Sequence, residues 1–196
     1  MLLVRKVKLS PSVFPAHAKY PIRRVVCKTF TVPNGFRDVS HEKLFSGQLP
    51  TRIVIGLVNN QAFNGSGDCN PFNFQHFNAT VYLDGQQQSG IKPIALNYAV
   101  RHYIRACNTL FSGTGKICRD EGIDIDRNDY ANGYALYAFD LTVDLGDEDH
   151  FNLMRQESVR LVLKFCVALQ QTVTVVAYAE FENVIEIDRN INRSSA

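Results

Sequence analysis

"SVRLVLKFCVALQQTVTVVAYAEFENVIEI", residues 158–187, alternates apolar and polar side chains for most of its length. In its first part Val159, Leu161, Leu163, Phe165 and Val167 share one face, with Arg160 and Lys164 on the other. In its second part Val173, Val175, Ala177, Ala179, Phe181, Ile185 and Ile187 share a face, opposed by Thr172, Thr174, Tyr178, Glu180, Glu182 and Glu186. Successive side chains of a strand point to opposite sides, so this period of two belongs to strands with one face in a core. A helix would space its apolar residues three and four apart. The short polar link at Gln170 and Gln171 predicts that the two strands form a hairpin.

The same pattern predicts further strands in "LLVRKVKL" (2–9), "YPIRRVVCKTFTV" (20–32) and "ATVYLDG" (79–85). In the second of these Ile22, Val26, Phe30 and Val32 align, interrupted by Arg24 and Lys28. "YALYAFDLTV" (134–143) aligns Ala135, Tyr137, Phe139, Leu141 and Val143. "TRIVIGLV" (51–58) is continuously apolar, as expected of a strand covered on both faces. Two segments read as helical. "SPSVFPAHA" (10–18) offers Ser10 as N-cap and Pro11 at the first helical position, and Pro15 limits it to about one turn. "LNYAVRHYIRACNTLFSG" (96–113) repeats Leu96, Val100, Tyr103, Cys107 and Leu110 at helical spacing, with Gly113 closing it. Many strands at uneven spacing and one good helix in a long connection predict an all-β fold. The expected architecture is an antiparallel jelly-roll β-sandwich over residues 1–188, with 189–196 as a frayed tail.

Composition narrows the function. Of 196 residues, 45% are hydrophobic, enough for a sizeable core, and no apolar run reaches a membrane-spanning length. The first residues lack the apolar stretch of a signal peptide, so an intracellular protein is expected. A net charge of +2 spread along the chain gives no dedicated nucleic-acid surface. Five cysteines (Cys27, Cys69, Cys107, Cys118 and Cys166) stand far apart, which fits free thiols better than a zinc site or a disulfide framework.

Chemical motifs are absent or broken. "FSGTGKICRD" (111–120) lacks the first glycine and the Ser or Thr of a phosphate loop, and follows a helix instead of preceding one. Asp124, Asp126, Asn128 and Asp129 start like a calcium loop, but Asp129 stands where its glycine belongs and Ala135 where its glutamate belongs. The competing reading is a solvated turn whose Asp and Asn side chains bond local amides. "DLGDEDH" (144–150) reads as an acidic turn. The five histidines form no ligand spacing, and no framed nucleophile occurs, so neither an enzyme nor a cofactor is expected.

One stretch stands apart. Residues 59–78 hold six Asn and four Phe, with Asp68 as the one charged side chain. Phe63, Phe72, Phe74 and Phe77 would each forgo about 2–3 kcal/mol if left in water. A loop this aromatic either folds over its own sandwich or packs on another molecule. The four Phe are therefore candidates for an oligomer interface, where aromatics are enriched and charge is depleted.

Six segments together carry a resemblance: "RKVKLSPSVFPAHAKYPIRRVVCKTFTVP", "LFSGQLPTRIVIGLVNNQAFNG", "NPFNFQHFNATVYLDGQQQ", "LFSGTGKICRDEG", "YANGYALYAFDLTVDL" and "VAYAEFENVIEIDRN". In this order, across nearly the whole chain, they resemble the carboxy-terminal half of a family found in invertebrate and fish genomes, often in polinton-type or adintovirus-like elements. That family is similar to the double jelly-roll major capsid proteins, of which the adenovirus hexon is one. The resemblance implies a structural protein without a reaction. It would associate with itself as trimers or larger, or with other capsid proteins, in a virion or virus-like particle. It also implies two jelly rolls side by side, whereas the length here suits one. The alternative expectation is a ligand- or carbohydrate-binding β-sandwich, with tyrosines in place of the missing tryptophans.

Overall fold

Residues 159–165 and 173–188 are strands, as their alternation requires, but they do not pair with each other. The computed structural model describes residues 17–85, 94–95, 103–116, 123–142, 156–188 and 193–195. In chain order the elements are β1 (His17–Val32), β2 (Asp38–Phe45), β3 (Arg52–Asn59), α1 (Asn60–Phe63), β4 (Ala79–Gly85), β5 (Ile94–Ala95), α2 (Ile104–Gly113), α3 (Arg127–Ala131), β6 (Leu136–Asp140), β7 (Val159–Phe165), β8 (Val173–Asp188) and β9 (Arg193–Ser195). Sheet A runs β1-β8-β3-β6, with β9 also on β8, and sheet B runs β2-β7-β4-β5. The pairs β1·β8, β2·β7, β3·β6 and β4·β5 are nested, as if one long hairpin of the whole chain had been rolled into two sheets. This is the antiparallel jelly roll.

The expected hairpin is thus a crossing. Residues 166–172 carry the chain from β7 in sheet B to β8 in sheet A. Val167 lies in this crossing, past the end of β7, and is exposed instead of buried.

Contacts divide the chain into two units, 25–181 and a second made of 1–24 with 182–196. In the second unit β9 pairs with β8 from Ile185↔Ser195 to Ile187↔Arg193, so part of the segment expected to be a tail is extended. Lys19 Nζ lies 2.6 Å from Glu186 Oε1 there. In the first unit the inward rows of the two sheets form the core. Ile53, Ile55 and Leu57 of β3, Tyr137 and Phe139 of β6, and Val173 to Phe181 at alternate positions of β8 come from sheet A. Val81, Leu83, Leu161, Leu163 and Phe165 come from sheet B. The Phe45 and Phe181 rings meet edge to face across the sheets, 5.9 Å apart. Burying each such side chain contributes about 1.5–3 kcal/mol.

Lys28, which interrupts the inward row of β1, donates from Nζ to the Leu44 carbonyl at 2.7 Å and lies over the Phe45 ring. Its charge stays at the margin while its stem covers apolar surface.

The outer face of sheet A is partly covered, as the apolar run of β3 requires. Helix α2 buries Ala106, Cys107, Leu110 and Gly113, and a Cβ at Gly113 would stand 3.0 Å from Ala138 Cβ on β6. Gly113 is the last helical residue, where the helix was expected to close, and Gly115 just beyond it takes left-handed backbone at φ 69°. Thr174, expected on a polar face, is buried opposite Val58, and Asn60 Nδ2 satisfies its hydroxyl at 2.9 Å. The expected strand at 2–9, residues 10–16 of the helix expected at 10–18 and the first turns of the helix expected from Leu96 lie outside the described residues, as do Val143 and Cys118; His17 and Ala18, expected to end that short helix, begin β1 instead.

Leu163 and Val167 share a sequence phase but not an environment. Leu163→Ala is expected to cost about 2–5 kcal/mol in urea unfolding. Val167→Ala should stay within about 0.5 kcal/mol. Equal losses would return Val167 to the core.

Candidate assembly surface

Four connections meet at one end of the sandwich: 33–37 between β1 and β2, 60–78 between β3 and β4, 132–135 leading into β6, and 166–172 between β7 and β8. Backbone bonds tie them into one layer. Gly35 N–H donates to Leu169 O at 2.8 Å and Leu169 N–H to Phe36 O at 3.0 Å. Cys166 N–H donates to Asn78 O at 3.3 Å, and Asn60 N–H to Thr172 O at 3.1 Å. Phe74 donates to Gly133 O at 2.7 Å and accepts from Ala135 N–H at 3.1 Å. Gly35, at φ 84°, supplies the backbone that a side chain would resist.

Within 59–78 the Asn side chains do what the composition suggests. Asn59 caps α1 by accepting from Gln61 N–H at 2.8 Å. Asn64 Nδ2 donates to Asn60 Oδ1 at 2.8 Å, and Asn70 Oδ1 accepts from Phe72 N–H at 2.9 Å. Phe77 and Asn78 both take left-handed backbone, at φ 46° and 47°. Two such non-glycine residues in a row are costly alone and need surrounding contacts to hold them. One contact is the bond from Asn78 N–H to His76 Nδ1, 2.9 Å. Others are Ala79 N–H to His76 O at 2.9 Å and Tyr137 Oη to the same carbonyl at 3.3 Å.

The four Phe separate into two kinds. Phe77 is half-buried against the core, and Phe74 lies over Gly56 of β3, where a Cβ would come within 2.7 Å of its ring. These two anchor the loop to its own sandwich. Phe63 is 44% exposed and Phe72 72% exposed. Three apolar side chains of neighbouring connections are also exposed: Phe36 at 50%, Tyr134 at 46% and Val167 at 64%. Five large apolar side chains therefore face solvent at this one end. The sequence reading missed the last three because single apolar residues beside Gly35 and Gly133, or in phase with a strand, look like turn and strand residues.

The acidic cluster is a helix start. Asp126 caps α3, its Oδ1 accepting from Asn128 N–H at 2.6 Å and Asp129 N–H at 2.7 Å, while Asp129 Oδ2 accepts from Asp126 N–H at 3.2 Å. This is a reciprocal capping box. Asp124 beside it has φ 50°. All four residues, Asn128 included, are exposed. Among the described residues no group of three His, Cys, Asp or Glu is placed to hold a metal ion. Cys27, Cys69, Cys107 and Cys166 form no disulfide. Burial pushes the Cys107 thiol up, with Arg127 pulling the other way, which leaves it a poor nucleophile.

No family model matches the chain. It is 29% identical over 179 residues to an uncharacterised Caenorhabditis elegans protein, F54H12.2, covering 87% of this chain and 42% of that one. Among solved structures it is similar to a chain of the Sputnik virophage (TM-score 0.57, 13% identity, 93% of this chain and 39% of that one). It is also similar to a chain of the PBCV-1 virus capsid (TM-score 0.50, 10% identity, 92% of this chain and 51% of that one). At these identities the likeness is one of fold: this chain has the jelly roll found in those virus particles. It spans about half or less of the length of each relative it matches.

Two outcomes test the loop's anchorage. Gly56→Ala should cost about 1–3 kcal/mol by displacing Phe74, and should cost little on a Phe74→Ala background; equal costs on both would mean the ring does not bear on Gly56. Burial holds His76 below the ordinary histidine value, so the folded state favours the neutral ring, whose Nδ1 can accept from Asn78. The unfolded chain then binds the proton more readily, and the stability carried by the neutral ring is full above about pH 6.5 and lost as pH falls below it. The thermal-melting advantage of the wild type over His76→Gln should shrink between about pH 7.5 and about pH 5.5. An unchanged gap would show that the ring's protonation does not matter to the loop.

Proposed function

We propose that this chain is a structural, self-assembling jelly roll of the capsid type, without catalysis. The observation that carries this reading is the pairing of a jelly-roll strand order with five exposed large apolar side chains at one end. An isolated protein gains nothing from rings in water, and exposed apolar clusters of this kind mark contact surfaces. Phe63 and Phe72 are the side chains assigned to the contact; Phe74 and Phe77 hold the loop that presents them. The fold it shares with virus-particle chains supports the reading, as does its cover of 39% and 51% of two of them, near the share of one jelly roll in two. The match to a nematode protein fits a source in a polinton- or adintovirus-like element of an animal genome. The product would be trimers or larger oligomers in a virion or virus-like particle, assembled inside the cell. Asp126 and Asp129 are assigned to capping α3 and not to calcium.

A second reading has one observation in its favour. The exposed rings of Phe72 and Tyr134 lie on connections joined through Phe74, where a sugar could stack. Binding on a glycan array that both Phe72→Ser and Tyr134→Ser abolish would favour it.

Sedimentation of the wild type at rising concentration should show trimers or larger species. Phe63→Ser with Phe72→Ser should weaken association by tenfold or more, as expected when about 1.4 kcal/mol or more of apolar contact is lost. The melting temperature should barely change. A wild type that stays monomeric at its solubility limit overturns the proposal.

A further inference from the structure

Asn followed by Gly occurs three times in the chain, at Asn34, Asn64 and Asn132. Each pair lies in a different connection of the loop end, and each adjoins an exposed ring: Phe36, Phe63 and Tyr134. The glycines serve the backbone there, Gly35, Gly65 and Gly133 taking φ of 84°, 88° and 134°. The same pair of residues is also reactive. Glycine has no side chain to shield its nitrogen, which can attack the side-chain carbonyl carbon of the Asn before it.

The three sites differ in how firmly they are held. Asn64 Nδ2 donates to Asn60 Oδ1 at 2.8 Å, and Gly65 N–H donates to Ala62 O at 3.2 Å. Asn132 Nδ2 donates to Asn128 O at 2.9 Å, and Gly133 is buried, its carbonyl accepting from Phe74 N–H at 2.7 Å. Both of these side-chain amides must break a bond before they can turn toward the attacking nitrogen. Asn34 differs: with Gly35 and Phe36 it is exposed, and among the described residues its side chain makes no hydrogen bond. A Cβ on Gly35 would meet nothing within 4 Å, so the turn has room to rearrange. The bond that must open to free the nucleophile runs from Gly35 N–H to Leu169 O at 2.8 Å, in an exposed connection where local opening costs least.

We propose that Asn34 is a self-modification site, converted to aspartate and isoaspartate without an enzyme. The Gly35 nitrogen bonds to Asn34 Cγ, the Cγ–Nδ2 bond breaks, and ammonia leaves, formed from the amide group and the Gly35 proton. Water then opens the cyclic imide at one carbonyl or the other. One opening restores the ordinary main chain as an aspartate; the other adds a methylene to the main chain as isoaspartate. Either product places a carboxylate two residues from Phe36. Resting on the assembly reading above, that charge loses water in any contact that covers Phe36, so the conversion weakens association in one direction with time.

Peptide mapping by mass spectrometry tests the site on the full chain, incubated at mildly alkaline pH. The readouts are the mass gain of amide-to-acid conversion and the separate elution of isoaspartyl peptides. Asn34 should convert about fivefold or more faster than Asn64 and Asn132, the ratio expected where those two have a further hydrogen bond to break. In urea the three should react at similar rates, because each has glycine after it. A folded chain in which Asn34 reacts no faster than the other two overturns the proposal. In sedimentation Asn34→Asp, which mimics one product, should associate about fivefold or more weakly than the uncharged Asn34→Gln, with melting confirming that both fold. Equal association of the two variants would overturn the effect on assembly. A wild type that never assembles would overturn the assembly reading, and the ranking of the three rates alone then decides the modification site.

Discussion

The β3·β8 ladder is the constraint on which the rest of the structure depends. It runs without a break from Arg52↔Glu180 to Asn59↔Val173 and joins segments far apart in the chain. One register sets two surfaces at once. Ile53, Ile55 and Leu57 point inward with Ala179, Ala177 and Val175 beside them, while Val54, Gly56 and Val58 point outward. A slip of one residue would turn the inward row out to α1 and the loop, and put Thr174 and Glu180 into the core. The ladder also ends where Asn59 and Asn60 meet Thr172 and Thr174, so the aromatic loop begins from a fixed point. Arg52 and Glu180 close the other end with an ion pair of 3.2 Å, both partners mostly shielded, and Tyr178 Oη donates to the same carboxylate at 2.8 Å.

Much of this could be read in the sequence, and the failures have physical causes. Period-two alternation located β4, β6, β7 and β8 and their inward faces, because burial on one side of a strand leaves that mark on composition, while β3 showed as a continuous apolar run. Alternation cannot say which sheet a strand joins. Gln170 and Gln171 look like the short polar turn of a hairpin, yet in the jelly roll the span 166–172 that contains them crosses between layers. Strand β2 escaped notice for another reason. Val39 and His41 point inward, then the register shifts before Phe45, and Leu44 and Phe45 are buried in succession. A bulge of this kind breaks the alternation that would have revealed it.

The loop shows the same division. Its composition announced ordered aromatics, and the Asn side chains do bond local backbone groups. Which Phe faces water was decided by long-range partners that no local pattern encodes. Phe74 is covered because β3 offers a glycine beneath it, and Phe77 because a left-handed turn directs it inward. Phe63 and Phe72 have no such seat. Phe36, Tyr134 and Val167 gain significance only when the fold brings their connections to one end, and nothing in their own neighbourhoods marks them.

The strand edges explain why the loops are left to make contacts. Among the described residues, β1 carries Lys19, Arg23, Arg24 and Lys28, and β2 carries Asp38, Glu42 and Lys43. Charges on an edge oppose the stacking of another strand against it. At the far edge of sheet A, β6 has five residues, too short to template a long pairing. On β6 the carboxylate of Asp140 turns back to Thr142, accepting from its N–H at 2.9 Å and from its hydroxyl at 2.6 Å. A sandwich built this way resists growing by sheet extension. Apolar side chains placed on its loop end can then form contacts of defined geometry without competing against indiscriminate edge pairing.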